Sequence, residues 1–531
     1  MPAPRLRAWL RGLWRICYCI VGSATLLAVI AAGFLYYEVS GDDPETFFDD
    51  PVKQFKYGST GGEILAGLPV GVFKALPALC PDYLHGNSWE ALGFIYEKGM
   101  DRPIGTSLRH NFGFDRIALN CAACHVSTYR AAPQSSRVIV PGMPAHRVDL
   151  GRFTQFLTDC VLDERFNPWQ VMDAAERTGE HYSALQRMLL KFVVVPAMRE
   201  AVLLVRDRFR FLKNEPEPGP GRFDTFNPEK ALLNWPFELL PAREAVGIVD
   251  FPSLWLQGPR EEQHMHLHWD GNNDFVEERN RSAAFGTGAV PTTLDRKSLK
   301  FIANWLRSDA NEPPRYPFPI DPARAETGKQ LYAQHCATCH GASGRDFNGG
   351  AKGLVGQVNP INHIRTDPCR LDNYTHALSA EQGNLYAAYP TERFSHFRKT
   401  NGYANLPLDG IWLRGPYLHN GSVPTVRDLL ESAANRPKAF YRGYDVIDQE
   451  RLGFVSDVPE ENGVKFFRYE TQCTDPTRCA DQPNPQNRHN DNVCAPGRWA
   501  GNSNRGHDGP AYGSELSAEQ KDAIVEYLKT F

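Results

Sequence analysis

The chain is short of methionine and of net charge. Seven Met occur in 531 residues, the last of them Met265, and 58 Lys and Arg against 62 Asp and Glu leave a formal charge of −4. A balance so near zero argues against a basic nucleic-acid binder, and no nucleic-acid partner is expected. With 42% hydrophobic and 11% aromatic residues the chain carries too much apolar material for disorder. No phosphate-cradling loop, dinucleotide fingerprint or Ser/His/Asp nucleophile pattern is present. What is plentiful is 44 Gly, 40 Pro, 12 Cys and 16 His. That mixture predicts a loop-rich body of at least two domains, organised partly around a cofactor.

Charge is also missing from Ile16 to Tyr37, a run long enough for a helix to cross a hydrocarbon core of about 30 Å. Arg5, Arg7, Arg11 and Arg15 precede it. This asymmetry predicts a cytoplasmic N-terminus, with the chain after Glu38 on the far side. A cleaved signal peptide is the alternative, but its apolar region is usually about 7–15 residues. The expected address is the bacterial inner membrane, crossed once, with the bulk of the chain periplasmic.

Pro313, Pro314, Pro317, Pro319 and Pro322 form a connector that cannot be helix or central strand. It divides the chain into an N-terminal anchor at 1–41, a first domain at 42–312 and a second at 323–531. Leu299, Ile302, Ala303 and Leu306 keep helical spacing before the connector, as do Ile524, Val525, Leu528 and Phe531 at the C-terminus, where Ser517 and Gln520 form a capping box. Another break, Pro216 to Gly221, ends a helical stretch over Ser183–Lys213 within an insertion at about 155–250. Its apolar Leu185, Met188, Leu189 and Phe192 alternate with basic residues. We read a partly buried helix with a solvated face; a basic amphipathic helix can also lie on a membrane surface.

Two pentapeptides carry the chemistry: Cys121-Ala122-Ala123-Cys124-His125 and Cys336-Ala337-Thr338-Cys339-His340. Each is C-x-x-C-H, in which two thiols can add to the vinyl groups of one haem while the adjacent His becomes its proximal ligand. Composition alone would supply roughly 0.008 copies of this pattern. Disulfides or a zinc site would need the pattern to recur by accident, and no βαβ pattern supports a thioredoxin-like pair. Two covalent haem c groups are therefore expected, in two tandem cytochrome c-type domains that are mainly α. Export to an oxidising compartment agrees with covalent haem.

The sixth iron ligand is where function divides. Met is the usual partner of His in high-potential cytochromes c, yet none follows Cys336. The second haem has instead His363, His376, His396, His419, His489 and His507 downstream, so a second His or no protein ligand completes it. For the first haem the nearby candidates are Met143 and His146, and an iron left open to oxygen or peroxide is equally compatible.

The chain also looks duplicated. His268-Trp269-Asp270-Gly271 follows the first haem motif and Leu418-His419-Asn420-Gly421 the second, with Pro252-Ser253-Leu254-Trp255 and Gly410-Ile411-Trp412 upstream of each. On these motifs, from about Asn111 to Phe531, the sequence resembles the bacterial dihaem cytochrome c peroxidase superfamily, the family of MauG. The resemblance implies that the N-terminal haem does the chemistry, that the C-terminal haem passes electrons, and that Trp269 lies between them. The family peroxidases carry a distal Glu about twenty residues beyond that Trp, where this chain reads Ala284-Phe285-Gly286-Thr287-Gly288-Ala289, and they carry a C-terminal Met ligand absent here. Both departures bring the chain nearer the RoxA-like branch, where the first haem can hold dioxygen and the second is bis-His. There Gly506-His507 matches the second ligand, which makes His507 the first choice and His419 the second.

Cys80, Cys160, Cys369, Cys473, Cys479 and Cys494 remain outside the apolar run, and Cys473 with Cys479 could bridge locally. The sequence thus predicts a membrane-anchored periplasmic dihaem oxidoreductase. It would use peroxide or dioxygen at the His125 haem, with Trp269 and His146 as catalytic residues and an organic or protein electron donor. The alternative is a non-catalytic dihaem electron carrier.

Overall fold

The computed structural model describes residues 3–40, 46–209, 215–347, 353–472, 494 and 499–531. Short helices joined by loops dominate, with one three-stranded antiparallel sheet and several two-stranded ribbons. The helices form where caps and apolar spacing coincide. Asp295 accepts from Ser298 N at 2.9 Å to open Arg296–Arg307, whose Leu299, Ile302, Ala303 and Leu306 are buried. Ser517 and Gln520 exchange hydrogen bonds of 3.3 and 2.9 Å to open Ala518–Leu528.

The first core gathers around Trp89, which stacks on Phe73 at 4.7 Å and meets Phe153 and Phe156 at 5.4 Å. A Cys80–Cys160 disulfide ties this region together. A second core joins Met143, Trp255 and Leu256 to Tyr332, Trp412 and Ile524, so it draws on both sides of the proline-rich connector. Two buried Trp mark the repeat in space. Trp255 Nε1 donates to Pro141 O at 2.9 Å, and Trp412 Nε1 to Pro314 O at 3.1 Å.

The insertion departs from expectation in one respect. Ala184–Leu189, a π turn at Leu190–Val194 and Val195–Arg208 follow one another, with Pro196 two residues past the π turn, as expected of a residue that removes one helical donor. Leu190 and Val195 are buried, while Met188 and Phe192, expected on the packed face, are exposed with Val193 and Leu204. The π turn adds a residue to the helical count and turns the later side chains off the original face.

The apolar run at the N-terminus lies in the helix Ala3–Ser40. Among the described residues, however, no helix is long and apolar enough to cross a membrane. Cys473 and Cys479 lie outside the described residues, as does His489.

Candidate haem centres

The two pentapeptides are reached differently. A hairpin of Thr106–Asn111 and Phe114–Leu119 leads to the first, where Asn120 Oδ1 accepts from Ala122 N and its amide donates to Gly58 O, both at 3.0 Å. The second follows the helix Pro322–His335, opened by Asp321. The histidines nevertheless reach one arrangement. His125 Nδ1 lies 2.9 Å from Pro252 O, and His340 Nδ1 lies 2.8 Å from Leu406 O. A carbonyl only accepts, so each Nδ1 carries the hydrogen and each Nε2 keeps its lone pair. Burial, then the Arg279 charge, lowers His125 to about 3, and burial also lowers His340. Both rings are neutral at pH 7, as iron ligands must be.

Cys121, Cys124, Cys336 and Cys339 are unpaired thiols, whereas Cys80 bridges Cys160 and Cys369 bridges Cys494. The one cluster of potential zinc donors among the described residues, Asp367, Cys369 and Cys494, includes that second bridge. A further observation bears on haem. Arg279 is buried, its guanidinium donates to Gln257 Oε1 at 2.6 Å and Asn280 Oδ1 at 2.9 Å, and it has no carboxylate in ion-pair contact among the described residues. Its charge acts on Cys121 and His125. A desolvated cation without an anion suits a group that brings its own carboxylates, as haem does. The donor sets at both motifs fit a covalently held haem.

His507 faces His340, with ring centroids 6.2 Å apart. Two imidazoles bonded on opposite sides of one metal at about 2.0 Å place their centroids about 6.3 Å apart. Burial and then the neighbouring His340 lower His507 to about 3. Its loop is held by Arg436, a buried guanidinium that reaches five carbonyls: Asn504 at 2.5 Å, Gly506 at 2.8 Å, His507 and Leu429 at 2.9 Å, and Glu431 at 3.1 Å. Of the other downstream histidines, His396 pairs with Glu278 at 2.9 Å, and His363 lends its carbonyl to Tyr512.

His419 stacks on Tyr403 at 4.1 Å. The repeat explains why. His268 to Gly271 and Leu418 to Gly421 are matching turns, closed by Gly271 N to His268 O at 3.0 Å and Gly421 N to Leu418 O at 3.1 Å. Both glycines have positive φ, 64° and 60°, and a Cβ on Gly271 would lie 2.4 Å from Val358 Cγ2. His419 therefore occupies the place of Trp269, and each turn docks on the other half. Trp269 O accepts from Ala404 N at 2.8 Å, two residues before the Leu406 carbonyl that holds His340. His419 O accepts from Asp250 N at 2.9 Å, two residues before the Pro252 carbonyl that holds His125. In addition Trp269 Nε1 donates to Asp250 O at 2.8 Å, so this one residue is tied to the first proximal segment by its side chain and to the second by its carbonyl.

Met143 is fully buried in the second core, and His146 stacks on Phe454 at 3.9 Å with Nδ1 3.0 Å from the Oγ of Ser127, two residues past His125, while its Nε2 is buried without a hydrogen-bond partner among the described residues. Burial, then the charges of Arg279, Arg370 and His125, hold His268 well below its ordinary value. The sequence reading missed Arg279, Arg436 and the two proximal carbonyls. The carbonyls had a signal, since Pro252 and Leu406 both stand just upstream of the paired Trp255 and Trp412.

The family model described as RoxA-like, cytochrome c-like matches residues 402–441, and the cytochrome c model matches 325–395. The first covers Leu406, His419 and Arg436; the second covers Cys336 to His340. Two proteins of Sinorhizobium fredii are similar. The uncharacterized protein y4iJ is 26% identical over 500 residues, covering 78% of this chain and 76% of that protein. The uncharacterized protein y4iM is 29% identical over 316 residues, covering 53% of this chain and 64% of that one. The chain thus contains cytochrome c-like and RoxA-like regions, and cytochrome c domains imply covalently bound haem c.

Proposed function

We propose that the chain is a periplasmic dihaem oxidoreductase, anchored in the inner membrane, that reacts with peroxide or dioxygen at the Cys121–His125 haem and moves electrons through the Cys336–His340 haem. The observation that carries this reading is Trp269, bonded to the segments that orient both proximal histidines. Bound haem would supply the iron that exchanges electrons and receives the oxidant. The residues do the rest. Cys121, Cys124, Cys336 and Cys339 would hold the two groups covalently, His125 and His340 would present Nε2 to iron, and His507 would close the second site. A strong second imidazole there lowers the potential relative to a His/Met pair and makes that site a relay rather than a reaction centre.

The periplasmic address is supported by the Cys80–Cys160 and Cys369–Cys494 disulfides, which persist in oxidising compartments. Membrane anchoring rests on the sequence alone, on the uncharged run from Ile16 to Tyr37 and the four arginines before it. The exposed Trp169, Met188, Phe192 and Leu204 add an apolar surface able to rest against a bilayer. An organic molecule or a protein would donate electrons.

The reading is tested by reducing protein verified by mass spectrometry to carry two haems, then adding peroxide or dioxygen. Oxidant consumption with reoxidation of both haems is expected, and in Trp269→Phe reoxidation of the second haem should slow by about tenfold or more. Fully loaded protein that consumes neither oxidant would sink the enzyme reading in favour of the electron carrier.

A further inference from the structure

We propose that Arg442, which belongs to the second half, is the positioning residue of the first proximal segment, the stretch Asp250 to Pro252 whose last carbonyl holds His125. The inference rests on the proposed transfer of electrons between the two haems and names a residue that governs it.

The repeat is broken at one position. Asp250 N donates to His419 O at 2.9 Å and Ala404 N donates to Trp269 O at 2.8 Å, each two residues before the carbonyl that holds a proximal histidine. The first half therefore carries a carboxylate where the second carries a methyl group. A carboxylate only 4% exposed is costly unless a cation and further hydrogen bonds meet it. Arg442 supplies the cation: its Nη2 donates to Asp250 Oδ1 at 2.7 Å, and its side chain is sealed from solvent.

The other two nitrogens of the guanidinium reach other segments. Nη1 donates to Gly421 O at 2.6 Å and Nε to Pro220 O at 2.9 Å, so one planar group joins the first proximal segment, the turn that carries His419 and the end of the insertion. Its own strand is fixed independently. Ala439–Arg442 pairs with Phe467–Glu470, and the guanidinium lies 5.6 Å from the Tyr469 ring. Room for the ion pair exists because residue 421 is glycine, with φ 60°: a Cβ there would run into Arg442 Nη1 and stand 2.9 Å from Asp250 Cγ.

What Arg442 fixes through the carboxylate is the backbone of Asp250, and with it two contacts near the haems. Asp250 O accepts from Trp269 Nε1 at 2.8 Å, and Pro252 O accepts from His125 Nδ1 at 2.9 Å. Between them, Phe251 N donates to Gly221 O at 3.1 Å, and its ring stands edge-on 6.4 Å from His125. A shift of this segment moves the acceptor of the indole and the acceptor of the proximal imidazole together. His340 rests instead on Leu406 O, in a segment that Arg442 does not bond to among the described residues. A residue of the second half thus sets the surroundings of the first haem and not of its own.

The test uses the full-length chain, verified by mass spectrometry to carry two haems, and reads the electron paramagnetic resonance of each haem and the rate of transfer between them after flash reduction. In Arg442→Gln the first haem's signal should shift or split while the second's stays as in the parent. Transfer should slow about tenfold, since displacement of an oriented pair is costly in rate. Arg442→Lys keeps the charge and can keep the bond to Asp250 but cannot reach all three acceptors, so it should recover the rate in part. Asp250→Asn combined with Arg442→Gln removes the uncompensated charge and leaves the segments unjoined, so transfer should stay slow. Recovery of the parent's rate and signal in that combination would assign the effect to charge and overturn the positioning role. Equal changes at both haems, the mark of general loosening, or no change at either would overturn it as well. If Arg442→Gln does not load haem, Arg442→Lys decides alone: about threefold slowing with only the first haem's signal altered is expected, and parent values refute the role. A parent that carries both haems and passes no electrons between them would overturn the proposed function, and the first haem's signal would then decide the role of Arg442.

Discussion

The two haem segments share four residues of five and almost nothing in how they are delivered. One is delivered by a hairpin and an Asn cap, the other by a capped helix. Yet both proximal rings end on a backbone carbonyl at nearly the same distance, 2.9 and 2.8 Å. What is held constant is the tautomer and aim of the ligand, which chemistry requires, and not the scaffold. The halves diverge in what stands beside that ring. In the second half His507, from a loop just before the terminal helix, faces His340 with ring centroids 6.2 Å apart, while in the first half Phe251 stands edge-on 6.4 Å from His125. A duplicated domain can thus keep its proximal geometry and still change which segment supplies a second imidazole.

The sharpest way to break this comparison is to remove that imidazole from the second half. His507→Ala should convert one of the two haems from low-spin to high-spin or solvent-ligated form and raise its potential, read by electron paramagnetic resonance and redox titration. His419→Ala should leave coordination unchanged, because its ring stacks on Tyr403 at the place that Trp269 holds in the first half. Spectra unchanged in the first variant and altered in the second would reverse the assignment.

A smaller effect is expected at Arg436, which binds the His507 loop without touching the ring's nitrogens. Arg436→Met would leave buried carbonyls of Asn504, Gly506 and His507 without their donor. The cost should be about 3 kcal/mol in chemical unfolding. Part of the second haem should become high-spin at ambient temperature, while the first haem's spectrum stays as in the parent. Arg436→Lys should recover stability only in part, since one ammonium cannot span five acceptors. An intact low-spin signal in Arg436→Met would show that the loop is positioned by Gly506 and Tyr512 alone.

These differences mark what the sequence could reveal. The haem motifs, the terminal capping box, the helix before the proline connector and the paired turns were legible because each is a local pattern with a fixed spacing. Elimination of Met left six downstream histidines, and only the resemblance put His507 first among them. The surroundings of His146, set by Ser127 from one half and Phe454 from the other, had no local pattern to announce them. Arg279 and Arg436 left no trace in the pattern, because a lone Arg becomes informative only when burial strips it of water and of anionic partners. The disulfides were equally hidden: Cys80 and Cys160 stand 80 residues apart and Cys369 and Cys494 stand 125 apart.

The contact that joins the halves gives the smallest expected effect and a pH dependence. Asp445, from the second half, accepts from Arg130 Nε at 2.6 Å, Thr128 Oγ1 at 2.7 Å and Arg137 Nε at 2.8 Å, all from the first. Burial alone would raise its carboxyl, but the Arg147 charge, the Thr128 hydrogen bond and the Arg137 charge outweigh it and hold the group at about 2. His146 also faces it, and Arg130 is shared with Glu461 at 2.8 Å. The folded value lies below the ordinary 3.8, so the unfolded chain binds the proton more readily and stability rises with pH across that interval. Asp445 therefore contributes about 2 kcal/mol above pH 4, lost as pH falls through 2. Asp445→Asn should be less stable than the parent by about that amount at pH 7, and the gap should close between about pH 4 and 2 in parallel urea titrations. Because buried Arg130 and half-buried Arg147 stay beside each other in that variant, their repulsion should show first as loosened packing between the halves. Electron transfer past Trp269 would then slow, with both haem spectra kept. A gap that stays constant down to pH 2 would place the stabilisation in the side chain's hydrogen bonds to Thr128, Arg130 and Arg137 and not in its charge.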